Sequence, residues 1–184
     1  FQGRLDGALK YFESSRRRFE KMNLPHQTAM SEQEIADAYL ELNLAPESAA
    51  IYERVAKVFE ELGMKSEKAK TLANFARSLT MLGETAKAHG LLAESQKIYA
   101  SAKNFVGEAT VKFIEAKLFY SEKDYRNALE KATFAEAVLI QAKFFSRAFH
   151  CRWLRGETLR LLNETEISRD ILQTALDESH ERFL

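Results

Sequence analysis

The feature that most constrains this sequence is a self-similarity that recurs every forty residues. Three series of residues, each spaced by forty, run along the chain in step. One is small throughout, and consists of Ala8, Ser48, Ala88, Ala128 and Ser168. The other two are Phe12, Tyr52, Leu92, Ala132 and Leu172, and Ser15, Val55, Ser95, Ala135 and Ala175. Repetition at one fixed period of this size is the signature of a helical solenoid.

A companion helix in each repeat carries a second pattern, in which a small residue is followed three positions later by a large one. The small residues are Ala36, Ala76, Ala116 and Gly156, and the large ones are Tyr39, Leu79, Phe119 and Leu159. These spacings predict amphipathic helices, and turns of only a few residues make successive helices antiparallel neighbours. The predicted fold class is therefore all-α, a right-handed α-solenoid of antiparallel helix pairs with about nine helices.

Periodicity and turn residues set the predicted helix bounds. The first helix is predicted from Asp6 to Met22, and the others span 27–42, 47–62, 66–82, 85–102, 107–121, 124–142, 146–162 and 164–181. Gly63 and Gly83 are expected to close helices in the left-handed conformation. Pro46 is expected in a first turn, and Pro25 is expected to stop the first helix.

The predicted domain organisation is one helical repeat domain over residues 1–184, with repeats at approximately 1–23, 26–63, 66–103, 106–143 and 146–184. The first repeat contributes only a second-type helix, so its face around Ala8, Phe12 and Ser15 lacks its usual partner. The chain begins at Phe1, inside a predicted helix and without Met. This start favours a fragment of a larger protein.

The composition of the chain argues against nucleic-acid binding and membrane association. Lys plus Arg equals Asp plus Glu at 27 each, so there is no overall positive field, and nucleic acid is not an expected partner. The single cysteine, Cys151, cannot form an internal disulfide, which points to a reducing, cytoplasmic location. No apolar run approaches the roughly 18 residues that a membrane span needs, so no membrane association is expected.

The small-then-large pattern of Ala36 with Tyr39, and of Ala116 with Phe119, resembles the first helix of a tetratricopeptide (TPR) repeat. The series beginning at Ala88 and Ala128 resembles the second helix. The period is forty residues instead of about 34. The usual Trp four residues before the small residue is missing, as is the Pro that closes each repeat. The chain is similar to long-period arrays of large bacterial proteins, some of which precede a caspase-like CHAT peptidase domain while others are regulators. Long-period arrays also occur in kinesin light chain and in spindle-orientation adaptors.

The resemblance implies a ligand groove lined by the first helix of each repeat. Its candidate residues here are Asn74, Arg77, Phe113, Lys117, Tyr120, Trp153 and Arg160. Aromatic side chains beside cations suit a peptide that carries a carboxylate and apolar anchors. A second interpretation stays open, in which Phe113 and Trp153 fill space between helices and the cations pair with Asp37 and Glu157.

Catalytic chemistry has little support in the sequence. Cys151 follows His150, but adjacent residues on a helix point about a hundred degrees apart, so a packed thiol is the expected interpretation. A cysteine-dependent enzyme is kept only as a third hypothesis. The remaining histidines, His26, His89 and His180, stand apart without metal-binding spacing. No catalytic residue, metal or cofactor is expected, and the chain is predicted not to be an enzyme.

The leading functional hypothesis is a noncatalytic protein–protein interaction scaffold, the regulatory part of a larger multidomain protein that includes, for example, a caspase-like peptidase. Its partner would be a protein, a peptide or an adjacent domain, and the unpartnered first helix would offer a surface for self-association. The alternative is a peptide or small-ligand sensor, in which binding in the concave groove changes the shape of the solenoid.

Overall fold

The computed structural model describes the backbone of residues 2–183 and the side chains of residues 7–178. This part of the chain contains nine α-helices and no β-strand: α1 (Gln2–Lys21), α2 (Pro25–Glu41), α3 (Ala45–Glu61), α4 (Lys65–Met81), α5 (Thr85–Ser101), α6 (Phe105–Ser121), α7 (Tyr125–Gln141), α8 (Phe145–Leu161) and α9 (Thr165–Phe183). The prediction of an all-α chain of about nine helices is confirmed. Phe1 and Leu184, the outer limits of the predicted domain, lie outside the described residues.

Successive helices are joined by three-residue turns with a positive φ at the central residue. Gly63 and Gly83 adopt φ values of 69° and 77°, as predicted for helix terminators. Asn and Lys occupy the same place in the other turns, at Asn23, Asn43, Lys103, Lys123, Lys143 and Asn163. After α3, the N–H of Met64 returns to the carbonyl of Phe59 at 2.8 Å. This bond satisfies a helix-terminal carbonyl and reverses the chain.

The helix starts differ from the predicted ones by a few residues at several places. Pro25, which was predicted only to stop α1, is the first residue of α2, two residues before the predicted start at Gln27. A first-turn N–H has no partner within its helix, so a proline is tolerated there. Pro46 lies in the first turn of α3, as predicted. Asn104 caps α6, because its side chain accepts a 2.8 Å hydrogen bond from the N–H of Gly107.

The helices form two compact units, Phe1–Ile98 and Tyr99–Leu184. In the first unit, α2 packs between α1 and α3 and also contacts α4. In the second unit, α7 packs between α6 and α8, and α9 packs on α8, while α6 also contacts α8. This contact of one helix with the next but one is how helix pairs stack in a repeat protein. The division into five repeats within one 184-residue domain stays a prediction.

The core of the first unit joins small side chains of α2 to large ones of α3. Tyr52, Val55 and Phe59 of α3 are fully buried, and they pack with Ala29 and Ala36 of α2. Small side chains let the two helix backbones approach closely, while the aromatic rings fill the space between them. The predicted small and large series therefore meet in one interface.

In the second unit, small side chains of α6 and α7 pack against a large one of α8. Ala116, Ala132 and Leu154 form one cluster across α6, α7 and α8. Gly156 stands where the other first helices have alanine, and a Cβ added to it would lie 2.5 Å from the side chain of Leu172. The hydroxyl of Ser168 on α9 donates to the carbonyl of Gly156 at 2.9 Å. The small residue thus permits a close contact between α8 and α9.

Candidate functional site

The predicted groove residues divide between the two units. Asn74 and Arg77 lie on α4 in the first unit, and the other five, Phe113, Lys117, Tyr120, Trp153 and Arg160, lie on α6 and α8 in the second. Each unit therefore presents its own candidate surface. We call the exposed side of α6 and α8 that carries Phe113, Lys117 and Trp153 the α6–α8 face.

In the first unit, the carboxylate of Asp37 on α2 is the centre of a polar network. Asn74 Nδ2 donates to Asp37 Oδ1 at 2.8 Å, and the buried Tyr52 hydroxyl donates to the same oxygen at 2.5 Å. Lys70 Nζ lies 3.2 Å from Asp37 Oδ2. The network joins α2, α3 and α4 around one charge. Asn74 is thus already engaged inside the unit.

Under the packing interpretation, in which the groove cations pair with Asp37 and Glu157, Arg77 would pair with Asp37. Its partner in the structure is different. Its guanidinium pairs with Glu41 at the end of α2, with Nη2 and Oε1 3.1 Å apart, and it also donates to Asn74 Oδ1 at 3.5 Å. Asp37 takes its hydrogen bonds from Asn74 and Tyr52 instead. The pair of Arg77 and Glu41 is partly exposed, so its net contribution to stability is small.

The electrostatic environment of Tyr52 follows from the same network. Burial raises the pKa of the Tyr52 phenol well above its usual value, and the neighbouring negative charge of Asp37 raises that pKa further. The phenol therefore remains protonated and donates to Asp37 across the physiological range. Tyr52 was found in the sequence only as a large residue of the repeat, and its hydroxyl role was not foreseen.

In the second unit, Phe113 is half-buried and Lys117 is exposed above it. Phe113 packs against two clusters of the core, one around Ala116 and one around Ala135. Lys117 Nζ lies 4.5 Å from the centroid of the Phe113 ring, which is a cation–π contact. Phe113 therefore has the packing role of the second interpretation, while its ring also holds a cation at the surface.

Tyr120 and Arg160 each have a neighbour inside the second unit. The ring of Tyr120 meets that of Tyr125 edge to face, with centroids 5.8 Å apart. Arg160 donates to Glu157 Oε2 from Nη2 at 2.9 Å and from Nε at 3.2 Å. The pairing of a cation with Glu157, named in the packing interpretation, is present at Arg160.

Trp153 does not fill space in the core. It lies on α8 with 53% of its surface exposed, although the residue after it, Leu154, is buried. Trp153 and Phe113 occupy equivalent positions forty residues apart, on two helices that contact each other. A large exposed aromatic is the residue type that most often anchors a protein partner.

A buried ion cluster in the second unit was missed by the sequence reasoning. Glu136 on α7 is only 4% exposed, and it pairs with both Arg152 and Arg155 of α8. Arg152 Nη1 also lies 2.6 Å from Glu178 Oε1 on α9. One feature of the sequence could have indicated it. Glu136 directly follows Ala135, a member of a buried series, and so it lies next to the core. The equivalent positions in the other repeats hold Arg16, Ala56, Gln96 and Leu176.

The geometry around Cys151 opposes a nucleophilic role. Its side chain is fully buried, and burial, with a smaller contribution from Glu136, raises the pKa of the thiol to about 12. The exposed ring of His150 has its Nδ1 2.7 Å from the carbonyl oxygen of Ser146, and it meets Phe149 edge to face. A buried thiol of this kind behaves as a small hydrophobic group.

The described part of the chain offers neither a metal site nor a membrane-spanning helix. Among the described residues, no group of three or more His, Cys, Asp or Glu side chains is placed to hold a metal ion. None of the helices in this part of the chain is both long and apolar enough to cross a membrane.

Comparison with known proteins identifies the fold. No known protein family matches this chain by sequence, and neither does any curated protein. Among solved structures, BtubC (BKLC) from P. vanneervenii is similar, with a TM-score of 0.75 at 17% identity over 96% of this chain and 73% of that one. Two structures of a kinesin light chain-like protein of Podosopora anserina, with nearly identical TPR-like repeats, also match.

These two structures give TM-scores of 0.71 and 0.69 at 16% and 14% identity, over 98% of this chain and 89% and 90% of theirs. The chain has a TPR-like helical repeat fold. At these identities the likeness concerns the fold alone, which is typical of protein–protein interaction scaffolds.

Proposed function

We propose that this chain is a noncatalytic scaffold that binds a protein or peptide partner on the α6–α8 face. The observation that supports the proposal best is Trp153, a large aromatic residue that is 53% exposed on the second of the two helices. Lys117 lies on α6, above the ring of Phe113, which is the equivalent of Trp153 forty residues earlier. Partner-binding surfaces combine aromatic anchors of this kind with cations that orient the bound chain.

The chemistry of this face favours a segment with an apolar anchor and a carboxylate. Trp153 would bury the apolar side chain, and Lys117 would bind the carboxylate by a charge-assisted hydrogen bond. Arg160 lies near the end of α8, the helix that carries Trp153, but it already pairs with Glu157. We therefore expect Trp153 to contribute more to binding than Arg160.

Selection of a random peptide library on the purified 184-residue chain tests the proposal. We expect the selected peptides to be apolar and acidic, and Trp153→Ala to weaken their binding at least about tenfold. Phe134→Ala is the matched control, because Phe134 on α7 is similarly exposed at 49% but does not lie on the α6–α8 face. Peptides whose binding is lost in the Phe134 variant and kept in the Trp153 variant would contradict the proposal.

A second candidate function, a sensor of a peptide or small ligand, is supported by the polar network of the first unit. Asn74 and Arg77 both bond to residues of α2, namely Asp37 and Glu41. A ligand that displaced these bonds would loosen α4 from α2 and alter the packing of the unit. The Arg77→Glu variant should lose ligand binding with little change in melting temperature, because the pair of Arg77 and Glu41 is partly exposed.

Helices α2, α4, α6 and α8 begin at residues 25, 65, 105 and 145, a spacing that supports a forty-residue repeat. We propose that the array regulates an attached effector, such as a caspase-like peptidase, in the cytoplasm. The buried, unpaired thiol of Cys151 is compatible with a reducing compartment.

A further inference from the structure

An open groove of about 390 Å³ lies between α1 and α2 in the first unit. Tyr11, Phe12 and Phe19 line it from α1, and Met30, Ser31 and Glu34 line it from α2. We call this surface the α1–α2 groove. It is formed by different helices from those of the α6–α8 face, so an occupant here would be a further partner beyond the proposed function.

The same unit contains a filled version of this groove forty residues later. There α3 and α4 present Tyr52, Val55, Phe59 and Thr71, and the helix α2 lies against them. Ala29 and Ala36 of α2 pack on the large side chains of α3. At the α4 edge, Thr71 Oγ1 donates to the buried Gln33 Oε1 at 2.9 Å. The chain itself therefore shows what this type of groove binds, which is an antiparallel helix with small residues seven apart.

Exposure distinguishes the filled groove from the open one. Tyr52, Val55 and Phe59 are fully buried beneath α2. Their equivalents in α1, which are Phe12, Ser15 and Phe19, are only half-buried. Tyr11, next to Phe12 and forty residues before the half-buried Ile51, is 70% exposed. The α1 side of the groove has the apolar side chains of the repeat interface without the helix that covers them.

The polar groups of the open groove differ from those of the filled one, and the difference specifies the charge of the occupant. Tyr52 and Asn74 both donate to the acidic Asp37 of α2. Phe12 and Glu34 stand at the equivalent positions. Glu34 is half-buried, and Lys70 Nζ of α4 lies 3.7 Å from its Oε1, which leaves its other oxygen for a second cation. A phenylalanine donates no hydrogen bond and a glutamate repels an acid, whereas a cation would meet both a carboxylate and an aromatic face.

We infer that the α1–α2 groove binds an amphipathic α-helix of a partner protein, in the way that α2 binds to α3 and α4. The bound helix carries small residues seven positions apart, with Lys or Arg directly after the second.

A peptide of the α4 sequence, residues 65–81, is a suitable probe. It has Ala69 and Ala76 seven residues apart and Arg77 directly after the second, so it matches the inferred pattern without any substitution. Fluorescence anisotropy would measure binding of the labelled peptide to the intact 184-residue chain. We expect saturable binding that weakens about tenfold when the peptide carries Arg77→Glu.

A charge exchange locates the peptide on the groove. Glu34→Arg in the chain should lower its affinity for the wild-type peptide about tenfold and restore binding of the Arg77→Glu peptide. Glu61→Arg is the matched control, because it makes the same charge change at an exposed position at the end of α3, outside the groove. Circular dichroism melting would establish that both variants remain folded.

Three outcomes would overturn the inference. The α4 peptide could fail to bind, or it could bind the Glu34→Arg chain as well as it binds the wild type. Alternatively, sedimentation equilibrium of the unliganded chain could show a dimer that Glu34→Arg dissociates, which would assign the groove to a second copy. Binding on the α6–α8 face is tested by different peptides and variants, so the two proposals stand or fall separately.

Discussion

Arg152 on α8 donates from Nε to Glu136 Oε1 on α7 at a distance of 2.6 Å, deep in the second unit. The same arginine reaches Glu178 on α9 from Nη1, also at 2.6 Å. Three consecutive helices are therefore tied together by one guanidinium group. Since Arg155 pairs with Glu136 as well, the buried carboxylate balances two cations.

We predict that Glu136→Gln destabilises the protein by about 3 kcal/mol, because it removes the carboxylate that pairs with Arg155 and leaves Arg152 with Glu178 alone. Urea unfolding followed by circular dichroism would measure the loss. Glu157→Gln is the matched control, since Glu157 pairs with Arg160 at the surface and such pairs contribute about 0–1 kcal/mol. Equal losses in the two variants would contradict a special role for the buried cluster.

Tyr52→Phe should cost about 1.5–3 kcal/mol, because the hydroxyl donates to the charged carboxylate of Asp37 inside the first unit. Tyr11→Phe, at a position 70% exposed, should be neutral. The urea midpoints of both variants would be compared at pH 7.

The effect of Tyr52 on stability should also depend on pH. The pKa of Tyr52 is raised in the folded protein, so the folded state retains the phenol proton more strongly than the unfolded chain does. This stabilisation is complete below the ordinary tyrosine pKa of about 10 and is lost as the pH rises above it. The stability difference between wild type and Tyr52→Phe should therefore shrink at high pH. A difference that grows with pH would show that the phenol ionises readily in the folded protein.

Cys151 should be inert to thiol reagents in the native state. Its side chain is fully buried and its pKa is raised to about 12, so almost no thiolate forms at pH 8. We expect one equivalent of an aromatic disulfide reagent to react in denaturant and almost none to react without it. Rapid labelling of the folded chain would revive the hypothesis of a cysteine-dependent enzyme.

Two glycines of the first unit should respond in opposite directions to substitution by alanine. Gly63 has a φ of 69°, so Gly63→Ala should destabilise by about 1 kcal/mol although its Cβ would meet no atom. Gly90 lies inside α5 with open space around it, so Gly90→Ala should stabilise by about 0.5–1 kcal/mol. Thermal melts of the two variants would give the signs directly.

The helices were predictable from sequence because the small and large series repeat with a fixed spacing, and burial follows that spacing. Ala36 and Tyr52 were both assigned to the packed interface, and both are fully buried. The start of α2 was placed two residues late, because Pro25 was interpreted as a stop and it also begins the next helix.

The polar contacts were less predictable, because they depend on which side chains meet across helices. Arg77 and Asp37 lie on neighbouring first helices, yet Arg77 pairs with Glu41 and Asp37 accepts from Asn74. Asp37 and Glu41 lie one helical turn apart on α2, so residue spacing alone does not decide which of the two Arg77 contacts. Glu136 was overlooked for the same reason, since its partners lie 16 and 19 residues further along the chain.

The uniform three-residue turns have a consequence for how such a chain lengthens during evolution. An insertion of one residue inside a helix rotates all later side chains by about 100° and separates the small series from the large one. Duplication of the segment from one turn to the equivalent turn, such as residues 43–82, adds two whole helices and leaves every remaining face in place. Tandem duplication of whole helix pairs is thus the change that this architecture tolerates best.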